Sequence, residues 1–257
     1  MSRIASMQAK VARKGISNVL AGGHAKVRDA TRPLCAALFL ALAFVGAPAA
    51  AADCGGMPGP GLDWRDCSKK NLLLQSSVLQ GANLAGADFS MTDLGHSDLS
   101  TANLEKTNLM RASLRGAKAE KASFAKAEAY RADFTGLAAA GASFAGAELQ
   151  RADFTGADLT GTDFEKAEAG RANFDKAVLT GARFALANLS RAHLSNASFE
   201  GPLDFDRAFL FLTRIEGLDL SQAKGLEQAQ IDIACGDDKT KLPAGLKTPP
   251  DWPCAPE

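Results

Sequence analysis

Between Leu74 and Phe199 an apolar residue returns at every fifth position, 26 times without interruption, and each of these central residues is Leu, Phe or Ala. The residue two before each centre is also small or apolar: Ala in 19 units, otherwise Thr, Ser or Leu. A period of five fits neither the 3.6-residue turn of a helix nor the two-residue alternation of a strand. The pattern therefore predicts a repeat architecture whose unit cannot bury its apolar residues alone. After Phe199 the register breaks, because Asp204 falls where a centre is due. A one-residue shift at Glu200-Gly201-Pro202 restores it, with Leu203/Phe205, Ala208/Leu210, Thr213/Ile215 and Leu218/Leu220 as further pairs. Such a shift predicts a bulge or turn at that point.

A longer period is superimposed. Phe124, Phe144, Phe164 and Phe184 lie 20 residues apart, and Phe205 continues them across the shift. Phe134, Phe154 and Phe174 form a second series half a period away, with Leu and Ala filling the two series between. Bulky residues on two opposite sides and small ones on the others keep a narrow interior at constant volume.

Units such as Ala82-Asn83-Leu84, Ala87-Asp88-Phe89, Ala152-Asp153-Phe154 and Ala172-Asn173-Phe174 follow the pattern A-(D/N)-(L/F)-x-x. Over residues 72–220 this resembles the pentapeptide-repeat family. The resemblance implies an all-β fold, a right-handed quadrilateral β-helix, in which each pentapeptide forms one side of a square and four make a coil. The centre and the residue two before it would point inward. About 7 coils (about 7.5 by the count of units) at ~4.8 Å each give a rod about 36 Å long.

Open coil ends invite polymerisation, so the flanks are expected to be caps. Lys69 stands at a centre position and departs from the pattern, which sets the expected start of the β-helix at Leu72. The expected organisation is an export segment or anchor at 1–52, a capped N-terminal segment at 53–71, the β-helix at 72–224, and a helix with a proline-rich tail at 225–257. The helix is expected within Gly225 to Asp237. Cys54, Cys67, Cys235 and Cys254 are disulfide candidates with three possible connectivities; the simplest, Cys54–Cys67 with Cys235–Cys254, staples each end. Zinc is disfavoured by the wide spacings and the absence of a neighbouring His.

Charge divides the chain. The total is 29 basic against 29 acidic residues. Seven bases and one acid fall in residues 1–52, a net +6, which leaves −6 for residues 53–257. Leu34 to Ala52 (LCAALFLALAFVGAPAAAA) has no charge and ends in small residues, the pattern of an export signal or membrane anchor behind a basic segment. A periplasmic or secreted location is expected, or anchorage to the inner membrane with the repeat outside the cytoplasm. The acidic remainder excludes a nucleic-acid binder with a large basic surface.

Catalytic motifs are absent, and His96 and His193 lie far apart along the repeat, so no enzyme and no cofactor are expected. Asp88, Asp93 and Asp98, among Asn83, Asn103 and Asn108, raise calcium as a minor alternative, without an EF-hand spacing. One outward feature stands out. Arg111, Arg131, Arg151, Arg171 and Arg191 recur every 20 residues and would stack one per coil, with Glu128, Glu148 and Glu168 forming a parallel column and Tyr130 beside them. Either the two columns neutralise each other as an exposed ion-pair network, or they form a recognition stripe. The expected function is a non-catalytic exported structural or interaction module offering flat charged faces to a protein or envelope partner. The alternative is a DNA mimic that binds a topoisomerase, as the family resemblance allows.

Overall fold

The computed structural model describes residues 51–255; the expected export segment lies, but for Ala51 and Ala52, outside the described residues. From Asp63 onward the chain winds as a square coil. The residue before each centre bridges in parallel to its equivalent one coil on, as in Asn83↔Asn103↔Ser123↔Ser143. Each side contributes three backbone bonds to its neighbouring coils, for example Leu84 N–H to Asn103 O at 2.7 Å, Gly86 N–H to Glu105 O at 2.9 Å and Asn103 N–H to Ala82 O at 2.9 Å.

Each square corner is a tight turn. The centre's carbonyl accepts from the N–H three residues on, as Leu149 O does from Ala152 N–H at 2.9 Å. The second corner residue has positive φ, as in Gly156 at 64° and Arg151 at 60°. These are type II turns, in which that position favours glycine. Asp and Asn before the centre serve the same corner: Asp88 Oδ1 accepts from Ser90 N–H at 3.0 Å, and Asp133 Oδ1 from Thr135 N–H at 2.9 Å. The short side chain satisfies a turn N–H that the coil leaves open, which explains the D/N of the repeat.

Inside, the two Phe series stand as columns. Within a column the rings stack, with Phe124–Phe144 at 4.6 Å and Phe134–Phe154 at 4.7 Å between centroids. Between columns they meet edge to face, as Phe144 and Phe154 do at 5.5 Å and 89°. Offset stacking and T-shaped contact are the favoured aromatic geometries, so one arrangement satisfies both axes of the core. Inward hydroxyls bond to backbone: Thr162 Oγ1 donates to Ala139 O and Thr213 Oγ1 to Leu189 O. At Glu200-Gly201-Pro202 the bridge interval changes from 20 to 21, with Arg183↔Asp204, and Phe205 stays in column 5.6 Å from Phe184.

Both ends depart from the expected boundaries. The first coil begins at Asp63, not Leu72, because Trp64 and Lys69 occupy centre positions inside the coil. Trp64 is the foot of a column that continues through Leu84, Leu104 and Phe124 to Phe205, so the coils number eight along that column. Lys69 is admitted because its Nζ donates to Cys54 O at 2.7 Å and lies 3.8 Å from the Trp64 ring centroid. Burial pushes its ammonium below the ordinary lysine range, opposed by the charge of Asp53. The structure joins Cys54 to Cys67, which holds that carbonyl over the open end.

At the far end the helix α1 covers only Gln228–Ile231, one turn within the expected stretch. It stays short because the chain must return to the coil: Cys235 bridges Arg214, and Lys241 bridges Asp219. Gln230 Nε2 donates to Phe205 O at 3.0 Å and Ala208 O at 2.8 Å, satisfying carbonyls of the last full coil. Cys235 is joined to Cys254, and Trp252 Nε1 donates to Ala234 O at 2.7 Å.

Candidate interaction surface

Two adjacent corners of the square carry nine of the 22 bases among the described residues. One holds Lys106, Lys126, Lys166 and Arg207, the other Arg111, Arg131, Arg151, Arg171 and Arg191. The flat side between them carries Glu128, Glu148 and Glu168, which bridge one another through their backbones and are exposed.

At the lysine corner an acid precedes three of the four bases; Lys126 follows Ala125. Glu165 lies 3.0 Å from Lys166, Asp206 3.0 Å from Arg207 and Glu105 3.7 Å from Lys106. Lys166, through its hydrogen bond, holds the Glu165 carboxyl below the usual glutamate range, with Arg183 assisting at 3.2 Å.

The arginine corner has no such acids, because Met110, Tyr130, Gln150, Gly170 and Ser190 precede its bases. Among the described residues no ion pair joins Arg111, Arg131, Arg151 or Arg171 to any carboxylate, including those of Glu128, Glu148 and Glu168. The mutual neutralisation expected from the three-residue spacing is therefore not formed. Glu sits on the flat side, Arg at the left-handed corner, and the short span between them does not bring the charged groups together. Tyr130 does pack with the column, its ring 5.3 Å from the Arg131 guanidinium carbon.

Two further observations bear on this surface. All five arginines have φ between 55° and 60°, where a non-glycine residue costs about 1–2 kcal/mol. The lysine corner shares this conformation, while the other two corners place Gly116, Gly136 and Gly156 with Lys176, or Gly141, Gly161 and Gly181 with Lys121, at the same position. Among the described residues, no acceptor caps the turn N–H after Glu128 or Glu148, where Asp or Asn would cap it. Neither column is explained by the turn it occupies. The columns end at an exposed apolar pair that the sequence pattern did not single out, Phe209 and Phe211, whose rings lie 6.2 Å apart at 13°.

Other candidate chemistry is dispersed. Asp88, Asp93 and Asp98 fall on three successive sides of the square, each accepting from its own turn at Ser90, Gly95 or Ser100. Among the described residues no group of three His, Cys, Asp or Glu could hold a metal ion. His193 lines a polar hollow with Asn173, Asp175, Ser195 and Asn196, where Asn196 Nδ2 donates to Asp175 Oδ1 at 2.7 Å. His96 lies at a corner, coils away.

The pentapeptide-repeats family model matches residues 72–105, 107–138, 139–168 and 170–201, in eight copies. No curated protein matches the sequence significantly. Among solved structures, the chain is similar to HetL, a pentapeptide repeat protein involved in heterocyst differentiation regulation from the cyanobacterium Nostoc. That match has 23% identity, 72% of this chain and 94% of HetL covered, and a TM-score of 0.38. QnrB1, a plasmid-mediated fluoroquinolone resistance protein, matches at 20% identity over 70% of this chain and 84% of its own, with a TM-score of 0.41. A pentapeptide repeat protein of the Arabidopsis thaliana thylakoid lumen matches at 24% identity over 51% and 82%, with a TM-score of 0.25. With its five-residue period, its square coil and the matching family model, this chain belongs to the pentapeptide-repeat family.

Proposed function

We propose that the chain is a non-catalytic, exported interaction module, and that the side between the lysine and arginine corners is the surface it offers to a protein or envelope partner. The observation that carries this reading is the arginine column itself. The exposed guanidiniums of Arg111, Arg131, Arg151 and Arg171 repeat coil after coil without the ion pairs that join Glu165 to Lys166 and Asp206 to Arg207 at the neighbouring corner. Such a column adds like-charge repulsion that its own corner does not offset, which supports a surface kept for binding. Two disulfides support an oxidising compartment, in agreement with the expected export segment. The same column weighs against DNA mimicry, which needs an unbroken acidic field.

The test is capture of proteins from the compartment where the chain resides, native against R131E/R151E/R171E. The native chain is expected to retain a partner that the variant loses by at least ~10-fold. Equal recovery by both would sink the reading. Absence of any effect on topoisomerase supercoiling is expected in parallel.

A further inference from the structure

Resting on the reading of this side as an interaction surface, we propose that its partner is a second copy of the chain, docked parallel and side by side through the Glu128–Glu148–Glu168 column and the arginine corner.

The spacing selects the class of partner. The arginines repeat once per coil, at the ~4.8 Å interval of stacked strands. An extended peptide offers same-face side chains only every ~6.8 Å, and one strand of duplex DNA offers a phosphate per ~3.4 Å of axis. Both fall out of step with the column within a few rungs. A column of acids on another coiled β-rod keeps step throughout, and this chain carries one beside its own arginines.

Symmetry then selects the pose. A twofold axis across the rods lays each column on its own copy, arginine against arginine. A twofold axis along the rods, between the two columns, lays each column against the other. Because the residue before a centre and the second corner residue belong to the same pentapeptide, the facing pairs follow directly. They are Asn108 with Arg111, Glu128 with Arg131, Glu148 with Arg151, Glu168 with Arg171, Asn188 with Arg191, and Phe209 with Leu212. Every arginine meets an acceptor. The rung where the arginines stop is also the rung where the facing column turns apolar, with Phe211 alongside. Arg111, Arg131, Arg151 and Arg171 each gain a carboxylate or amide oxygen, and the exposed phenyl rings gain cover.

The experiment is sedimentation velocity on protein purified from cells expressing the full chain, at about 0.01 M and about 1 M salt, between which the screening length falls from ~30 Å to ~3 Å. The native chain is expected to dimerise at low salt and to associate at least ~10-fold more weakly at high salt. R131E/R151E/R171E alone and E128R/E148R/E168R alone are each expected to be monomeric, since each leaves like charges facing. An equimolar mixture of the two is expected to restore the dimer, because every facing pair is then again opposite in sign. R131Q/R151Q/R171Q provides the same loss without reversed charge if a reversal variant fails to fold. A native chain monomeric at low salt, an undiminished dimer in either variant, or a mixture that stays monomeric would overturn the proposal. A monomeric native chain whose arginine variant still loses a captured protein overturns the second copy alone and leaves the interaction reading standing.

Discussion

The lysine and arginine corners are built on the same turn, in the same coils, with the same left-handed residue carrying the cation. They differ one residue earlier. Glu105, Glu165 and Asp206 precede bases at the first corner, and each pairs with its base. Met110, Tyr130, Gln150, Gly170 and Ser190 precede bases at the second, and no such pair forms. A corner that closes its own charges has little to offer a partner; one that leaves them open does. In a regular solenoid nearly every residue is accounted for by the repeat, so a column whose charges the repeat does not close is where function is to be sought.

The largest effect is expected from removing what both corners stand on. Phe154 stacks on Phe134 and Phe174 and meets Phe144 and Phe164 edge-on. Truncation of Phe154 to Ala leaves a cavity in a rod with no spare volume, and about 3–5 kcal/mol of stability should be lost in denaturant unfolding. The two corners should fail together, since each coil is bonded only to its neighbours. A loss below ~1 kcal/mol would mean that the Phe columns do not hold the rod.

That core was readable from the sequence because inward positions obey a strict constraint: one residue too large or too polar breaks a column, so the 20-residue series of Phe124 and Phe134 shows in plain spacing. The first coil was hidden by the same rule. Lys69 violates the pattern, and what makes it acceptable, a carbonyl of Cys54 carried over the coil end, is a tertiary contact that no spacing reports. The corner charges show the opposite failure. Glu128 and Arg131 stand three residues apart, as ion-paired residues on a helix often do. On a square coil that spacing separates a flat side from a corner, and the pair does not close. The pairs that do close join adjacent residues, Glu165 to Lys166 and Asp206 to Arg207, a spacing that carries no such meaning on a helix or strand.

A smaller effect separates the corners energetically. Arg151 and Lys166 share the left-handed conformation, at φ 60° and 57°. Glycine at either position removes side-chain strain and adds chain entropy to the unfolded state, for a net gain of about 0.5–1 kcal/mol. R151G should show that gain in full. K166G also loses the pair with Glu165, which offsets part of that gain, so it should be less stabilised than R151G. Matching unfolding curves for the two variants would erase the energetic distinction, and a destabilised R151G would mean that the arginine column supports the fold after all.

The smallest effect reads the lysine corner directly. Lys166 holds the Glu165 carboxyl below its ordinary value of 4.5. A carboxylate with a depressed folded-state value favours folding at pH above the unfolded value, and that contribution fades as pH falls through the folded one. Stability at the lysine corner should therefore weaken below about pH 4.5. The titration of Glu165, followed by side-chain carboxyl NMR, should move upward in K166Q and stay in place in R151Q. Asp219, hydrogen-bonded by Lys241 and drawn to about 2, serves as the internal reference, since it should respond to neither change. An upward movement of Glu165 in R151Q would show the two corners to be electrostatically coupled across the flat side, and the open column would then be less open than its geometry indicates.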